Sequence, residues 1–115
     1  MKKILQVNFK HDKSNPKFPE TMRAIMASVP RFAPGAEFKG LIWKIWARNE
    51  AEDSAAGIYL FEDDASVEAY LKGELFSGFR LMPGIVGIET KVFDVMLEPT
   101  KVSHGPVDVE ALARK

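Results

Sequence analysis

A lysine stands between two tryptophans in Gly40-Leu-Ile-Trp-Lys-Ile-Trp46, and a second aromatic run, Gly57-Ile-Tyr-Leu-Phe61, follows a short polar stretch. Trp43, Trp46, Tyr59, Phe61 and Phe93 are residue types that can wall a slot for a flat ligand, because aromatic faces stack on planar molecules. They equally well fill an ordinary small core. Lys44, flanked by apolar residues, and Lys91, followed by them in Lys91-Val-Phe-Asp-Val95, offer a cation to a developing oxyanion or to a ring face. The alternative is a lysine whose stem covers apolar surface, or one paired with Glu62 or Glu89 across a sheet. His11 has the titration range of a general base, although Asp12 and Lys13 beside it also fit a solvated loop. His104, the second histidine, lies far along in the tail. With two distant histidines and no cysteine, no metal-ligand spacing is present. Nor is there a nucleophile elbow, a P-loop or a dinucleotide fingerprint.

These side chains need a scaffold, and the periodicity of the chain supplies one. Residues 3–10 set Leu5, Val7 and Phe9 against Ile4, Gln6 and Asn8, the alternation of a strand. The turn formers of His11-Asp-Lys-Ser-Asn-Pro16 make a loop. Pro19 opens a helix with the stripe Met22, Ile25, Met26 and Val29, which Pro30 ends. Residues 38–48 form the second strand, 49–54 a polar turn, and 55–62 the third strand, so the two pair as a hairpin. Asp63 or Asp64 caps a helix carrying Val67, Tyr70, Leu71 and Leu75, and Gly73 separates it from a short helix over 74–82. Pro83-Gly84 stops that helix before a last strand over 85–97.

The order βαββαβ predicts an α+β, ferredoxin-like domain over 1–98, with a four-stranded antiparallel sheet and both helices on one face. Residues 99–115 form a tail, weakly helical over 107–114, too poor in apolar groups to hold itself. It frays or lies on another surface, a partner subunit included. Strict alternation in the second strand puts Leu41, Trp43 and Ile45 on one face and Ile42, Lys44 and Trp46 on the other. Both faces are apolar, and one helical layer covers only one of them. The second cover is a ligand, a partner, or both. The expectation is that Ile42, Lys44 and Trp46, or their neighbours, face the open side, and that two sheets pair there around a cavity.

At 115 residues and 46% hydrophobic content the chain fits one domain with one core. Sixteen basic residues balance sixteen acidic ones, which leaves no global field to attract nucleic acid or an anionic membrane. No apolar run reaches transmembrane length, and the start, Met1-Lys-Lys with a short run broken by Gln6 and Asn8, lacks the form of a signal peptide. The lack of cysteine removes thiolate chemistry and suits a cytoplasmic location.

The runs Gly40 to Trp46, Ala56-Gly-Ile-Tyr-Leu-Phe61, Ala69-Tyr-Leu71 and Lys91 to Val95 resemble the YdhR-like monooxygenase family of the dimeric α/β-barrel superfamily. The resemblance covers most of residues 4–97, with Arg31 to Lys39 and the tail less well matched. It implies a homodimer whose sheets form a barrel, and an oxidation of small aromatic compounds without a cofactor. Such a reaction needs a phenol- or anthrone-like substrate that becomes electron-rich on losing a proton. The protein then provides the apolar slot, a proton acceptor and a group facing the anion, for which Lys44, Lys91 and His11 are the candidates. Two other readings fit the same scaffold: a non-enzymatic dimeric module that binds a small apolar ligand, and an isomerase or decarboxylase.

Overall fold

The computed structural model describes residues 1–109. Four strands, β1 (Lys3–His11), β2 (Leu41–Asn49), β3 (Ser54–Phe61) and β4 (Ile85–Asp94), form one antiparallel sheet in the order β2-β3-β1-β4. Helices α1 (Phe18–Ala27), α2 (Asp64–Lys72) and α3 (Glu74–Arg80) lie on one face, which is the expected ferredoxin-like arrangement. The split of the second helical region at Gly73 also follows the sequence pattern, since Gly73 ends α2 and starts α3 in an extended conformation. Asp63 caps α2, its carboxylate accepting from the Ser66 N–H at 2.9 Å. The Ser66 side chain first, and then its backbone N–H, hold the Asp63 carboxyl below its ordinary range by hydrogen bonding to the charged form.

The core sits between the sheet and the α2–α3 arm. Leu5, Val7, Tyr59 and Phe61 rise from the sheet to meet Val67, Tyr70 and Phe76, all buried. Gly40 lets this arm dock: its φ is +84°, and a Cβ there would stand 2.0 Å from Ser66 Oγ at the start of α2. Helix α1 is held differently. Its buried residue is the polar Thr21, whose hydroxyl donates to the Pro83 carbonyl at 2.7 Å, tying the helix to the turn before β4.

The facing of β2 departs from strict alternation. Leu41 pairs with Phe61 but Trp43 pairs with Leu60, so one extra residue is accommodated between them. Ile42 and Trp43 therefore both turn away from the helices, while Leu41, Lys44 and Trp46 turn toward them. The expectation that Ile42, Lys44 and Trp46 share the open face is thus corrected, because a bulge exchanges faces for everything on one side of it.

On the open face, β4 ends at Asp94, three residues short of the expected boundary, and α4 (Leu97–Val102) follows. The Trp43 indole N–H donates to the Pro106 carbonyl at 2.9 Å, and Val107 is buried against Ile42 and Leu60. The tail thus packs on this chain's own sheet. Residues 107–109 are not helical, and the rest of the expected helix lies outside the described residues. Ile45 and Phe93, also on this face, are 49% and 48% exposed.

Candidate active site between the sheet and the first helix

A pocket of about 550 Å³ opens between the sheet and the helices. It exists because the stripe of α1 stands off the sheet: Met22, Ile25 and Met26 line the cavity instead of filling a core. Its floor is cut deep by the small residues of β3 that face the helices, Ala55 and Gly57. At Gly57 a Cβ would lie 2.9 Å from Tyr59 Cε1, so glycine is what allows the Tyr59 ring to lie back along its own strand. The cavity is on the helix side of a single chain, not between two open sheet faces as the sequence suggested.

Lys44 is the charged group set deepest among the aromatic residues. Its Nζ lies 3.4 Å from the centroid of the Trp46 ring, 3.9 Å from that of Phe32 and 4.7 Å from that of Tyr59. The ion pairs among the described residues do not include it. Burial pushes the Lys44 ammonium down to about 7, since a charge loses hydration there that no carboxylate replaces. The three ring faces pull the other way, favouring the cation. The result is an amine that can hold or release a proton near neutral pH.

Beside it, the hydroxyls of Tyr59 and Tyr70 are 2.9 Å apart, and both residues line the pocket. One donates to the other, which leaves the accepting hydroxyl with a proton for a third partner. Burial pushes Tyr59 up to about 12 and raises Tyr70 as well, so both remain protonated donors at neutral pH. His11 lies at the end of β1, its ring 5.4 Å from Phe9 and 5.2 Å from Phe18, and it lines the pocket. Burial and then Lys13 lower its pKa, which favours the neutral imidazole. Farther out, Arg31 clasps Glu37, with Nε donating to Oε1 at 2.6 Å, and Arg48 pairs with Glu50 at 3.0 Å.

Of the residues singled out in the sequence, Lys44, Trp46, Tyr59 and His11 come together around this cavity. Phe61 lies beneath it, fully buried and stacked on Tyr59 at 6.0 Å and 19°. Trp43, Lys91 and Phe93 are on the opposite sheet face, paired with Leu60, Gln6 and Ile4, and the single slot expected of them with Trp46 is corrected accordingly. Lys91 there pairs with Glu89, two residues away on the same strand and not across the sheet as the alternative reading had it, at 3.6 Å between exposed groups. Phe32 and Tyr70 were not anticipated. Phe32 follows Pro30 in a 3-10 turn that periodicity cannot reveal, and Tyr70 read as helix stripe. Among the described residues no group of three or more His, Cys, Asp or Glu could hold a metal ion, and no helix is long and apolar enough to cross a membrane.

Comparison with known proteins bears on what this arrangement serves. The chain superposes on the structure of protein YJCS with a TM-score of 0.62 at 11% identity, covering 83% of this chain and 99% of that one. A variant of SnoaB, a cofactor-independent oxygenase from Streptomyces nogalater, gives 0.59 at 14%, covering 83% and 93%. The haem degrader MhuD from Mycobacterium tuberculosis gives 0.57 at 14%, covering 83% and 97%. At such identities these likenesses show a shared fold. None of the curated proteins compared with the chain matches it. The sequence model of one family, described as "Putative mono-oxygenase ydhR", matches residues 4–106, and the chain belongs to that monooxygenase family.

Proposed function

We propose that the protein oxidises a small phenol- or anthrone-like compound in this pocket, using the electrons of the substrate itself. The observation that carries the reading is Lys44, a lysine with no carboxylate partner among the described residues, caged by Trp46, Phe32 and Tyr59 inside an apolar cavity. The family and the SnoaB fold support it from outside the chain.

A planar ring entering between Trp46 and the α1 methionines brings its acidic group toward Lys44. The neutral amine takes the proton and becomes an ammonium held by the ring faces, and it stays beside the anion it has created. That anion is electron-rich enough to reduce dioxygen. For a methylene flanked by aromatic rings, one oxygen atom replaces the two hydrogens as a carbonyl and the other leaves as water, so the electrons balance within substrate and dioxygen. The Tyr59–Tyr70 pair donates to a second oxygen on the substrate and fixes its orientation. His11, neutral at the wall, is the second proton acceptor. We place the working unit as a homodimer through the open sheet face, where the exposed Ile45 and Phe93 support pairing.

Oxygen uptake with an anthrone or a hydroquinone in chelator-treated buffer tests this. Uptake by the wild type that falls to background in Lys44→Met supports the reading. Uptake unchanged in that variant removes Lys44 from the chemistry, and tight binding of the compound with no uptake by the wild type favours a carrier.

A further inference from the structure

The groups around Lys44 suit a second chemistry that does not involve dioxygen. We propose that the pocket forms a reversible imine between Lys44 Nζ and the carbonyl carbon of an aryl aldehyde or ketone. Three features of the geometry converge on it. The amine stands in an aromatic slot where a flat carbonyl compound stacks, between the Trp46, Phe32 and Tyr59 rings. It has no ion-pair partner among the described residues to hold it as a fixed cation. The Tyr59–Tyr70 hydroxyl pair lines the same cavity and has a donor proton to spare for the carbonyl oxygen.

The steps balance without an oxidant or reductant. The Nζ lone pair forms the bond to carbon while the carbonyl π pair moves to oxygen, which accepts a hydrogen bond from the tyrosine pair. The nitrogen's extra proton passes to that oxygen through the hydroxyls, giving a carbinolamine. The nitrogen lone pair then forms the C=N bond as the C–O bond breaks, and the remaining N–H proton passes through the same hydroxyls to the departing oxygen, which leaves as water. An apolar enclosure favours each step that loses charge or releases water. Burial favours the required state: it pushes the Lys44 ammonium down to about 7, so the neutral amine is accessible near neutral pH as it is not for an ordinary exposed lysine.

The test is reductive trapping of the full chain under nitrogen at pH 7 with benzaldehyde or 2-naphthaldehyde and cyanoborohydride, followed by peptide mapping. The expected result is at least about tenfold more alkylation at Lys44, held in the aromatic slot beside the tyrosine pair, than at the exposed Lys17 or Lys101. Unfolding in denaturant should erase that preference, and Tyr59→Phe should slow trapping at least about tenfold while leaving the pH midpoint of Lys44 labelling in place. Labelling of Lys44 no greater than that of Lys17 and Lys101 overturns the proposal, as does equal selectivity in denaturant. Because dioxygen is excluded, failure here counts against imine formation alone, and failure of oxygen uptake counts against the oxidation alone.

Discussion

The two helical arms rest on the same sheet face and meet it in opposite ways. The α2–α3 arm buries Val67, Tyr70 and Phe76 against Leu5, Tyr59 and Phe61, with aromatic rings in mutual contact at 5.1 to 5.8 Å around Tyr70. The α1 arm buries a threonine and leaves Met26 61% exposed, its apolar stripe facing a cavity. One arm supplies stability and the other supplies room. A stripe of apolar residues at helical spacing is the same sequence signal in both, so the difference lies in what stands opposite: large side chains under α2 and α3, alanine and glycine under α1.

The largest effect that this contrast predicts comes from cutting the packed arm. Phe76→Ala should lower unfolding stability by about 3–5 kcal/mol, the usual cost of emptying a buried aromatic site. Met26→Ala in the open arm should change it by less than about 0.5 kcal/mol. Denaturant melts of both variants measure the difference, and equal losses would mean that α1 is packed after all.

A smaller effect, of opposite sign, is expected at Lys44. Below about pH 7 both folded and unfolded chains hold the Lys44 proton, and the folded chain bears the full cost of a poorly hydrated charge. Above it the folded chain releases the proton while the unfolded one keeps it to about pH 10.4. The unfolded state then binds more protons, so this group makes stability rise with pH through that window. Lys44→Met should remove the rise and be more stable than the wild type by about 2 kcal/mol at pH 6, a gain that fades toward pH 10. Thermal melts across that range check it. A variant less stable than the wild type at pH 6 would mean that the ring cage outweighs the lost hydration.

How much of this was legible beforehand follows the same division. The strands, the Asp63 cap and the break at Gly73 were written in local pattern, because alternation, capping and glycine act within a few residues. The facing of Lys44 and Trp46 was not, since the bulge before Trp43 shows itself only in pairing with β3. Trp43 looked like a slot residue for the same reason, whereas its indole binds Pro106 more than sixty residues away. Lys44, Trp46, Tyr59 and His11 were identified by type alone, and what unites them, the gap under α1, depends on small residues of β3, Ala55 and Gly57, that carry no signal of their own.

Those small residues give the third test. Gly57→Ala would place a Cβ 2.9 Å from Tyr59 Cε1 and drive the ring off its strand into the cavity. The expected cost is about 1–2 kcal/mol in stability, typical of overpacking. Affinity for any aromatic ligand should fall as well, because the ring moves into the ligand's space. Titration of such a ligand against Gly57→Ala, with unchanged affinity as the contrary result, measures it.

The smallest expected effect separates room from stability most cleanly. Gly78 is the fifth residue of α3 and lines the pocket, and a Cβ there would meet nothing within 4 Å. A glycine inside a helix costs backbone entropy, so Gly78→Ala should raise stability by about 0.5–1 kcal/mol with no clash to offset it. A helix serving only the core would have no use for that weakness. If the open space beside Gly78 is used by a ligand, Gly78→Leu should retain most of the stability gain of alanine yet weaken binding of two-ring aromatic compounds more than of one-ring ones. Equal binding of both by Gly78→Leu would show that the ligand sits wholly at the Lys44 end, leaving the α3 side of the cavity to solvent.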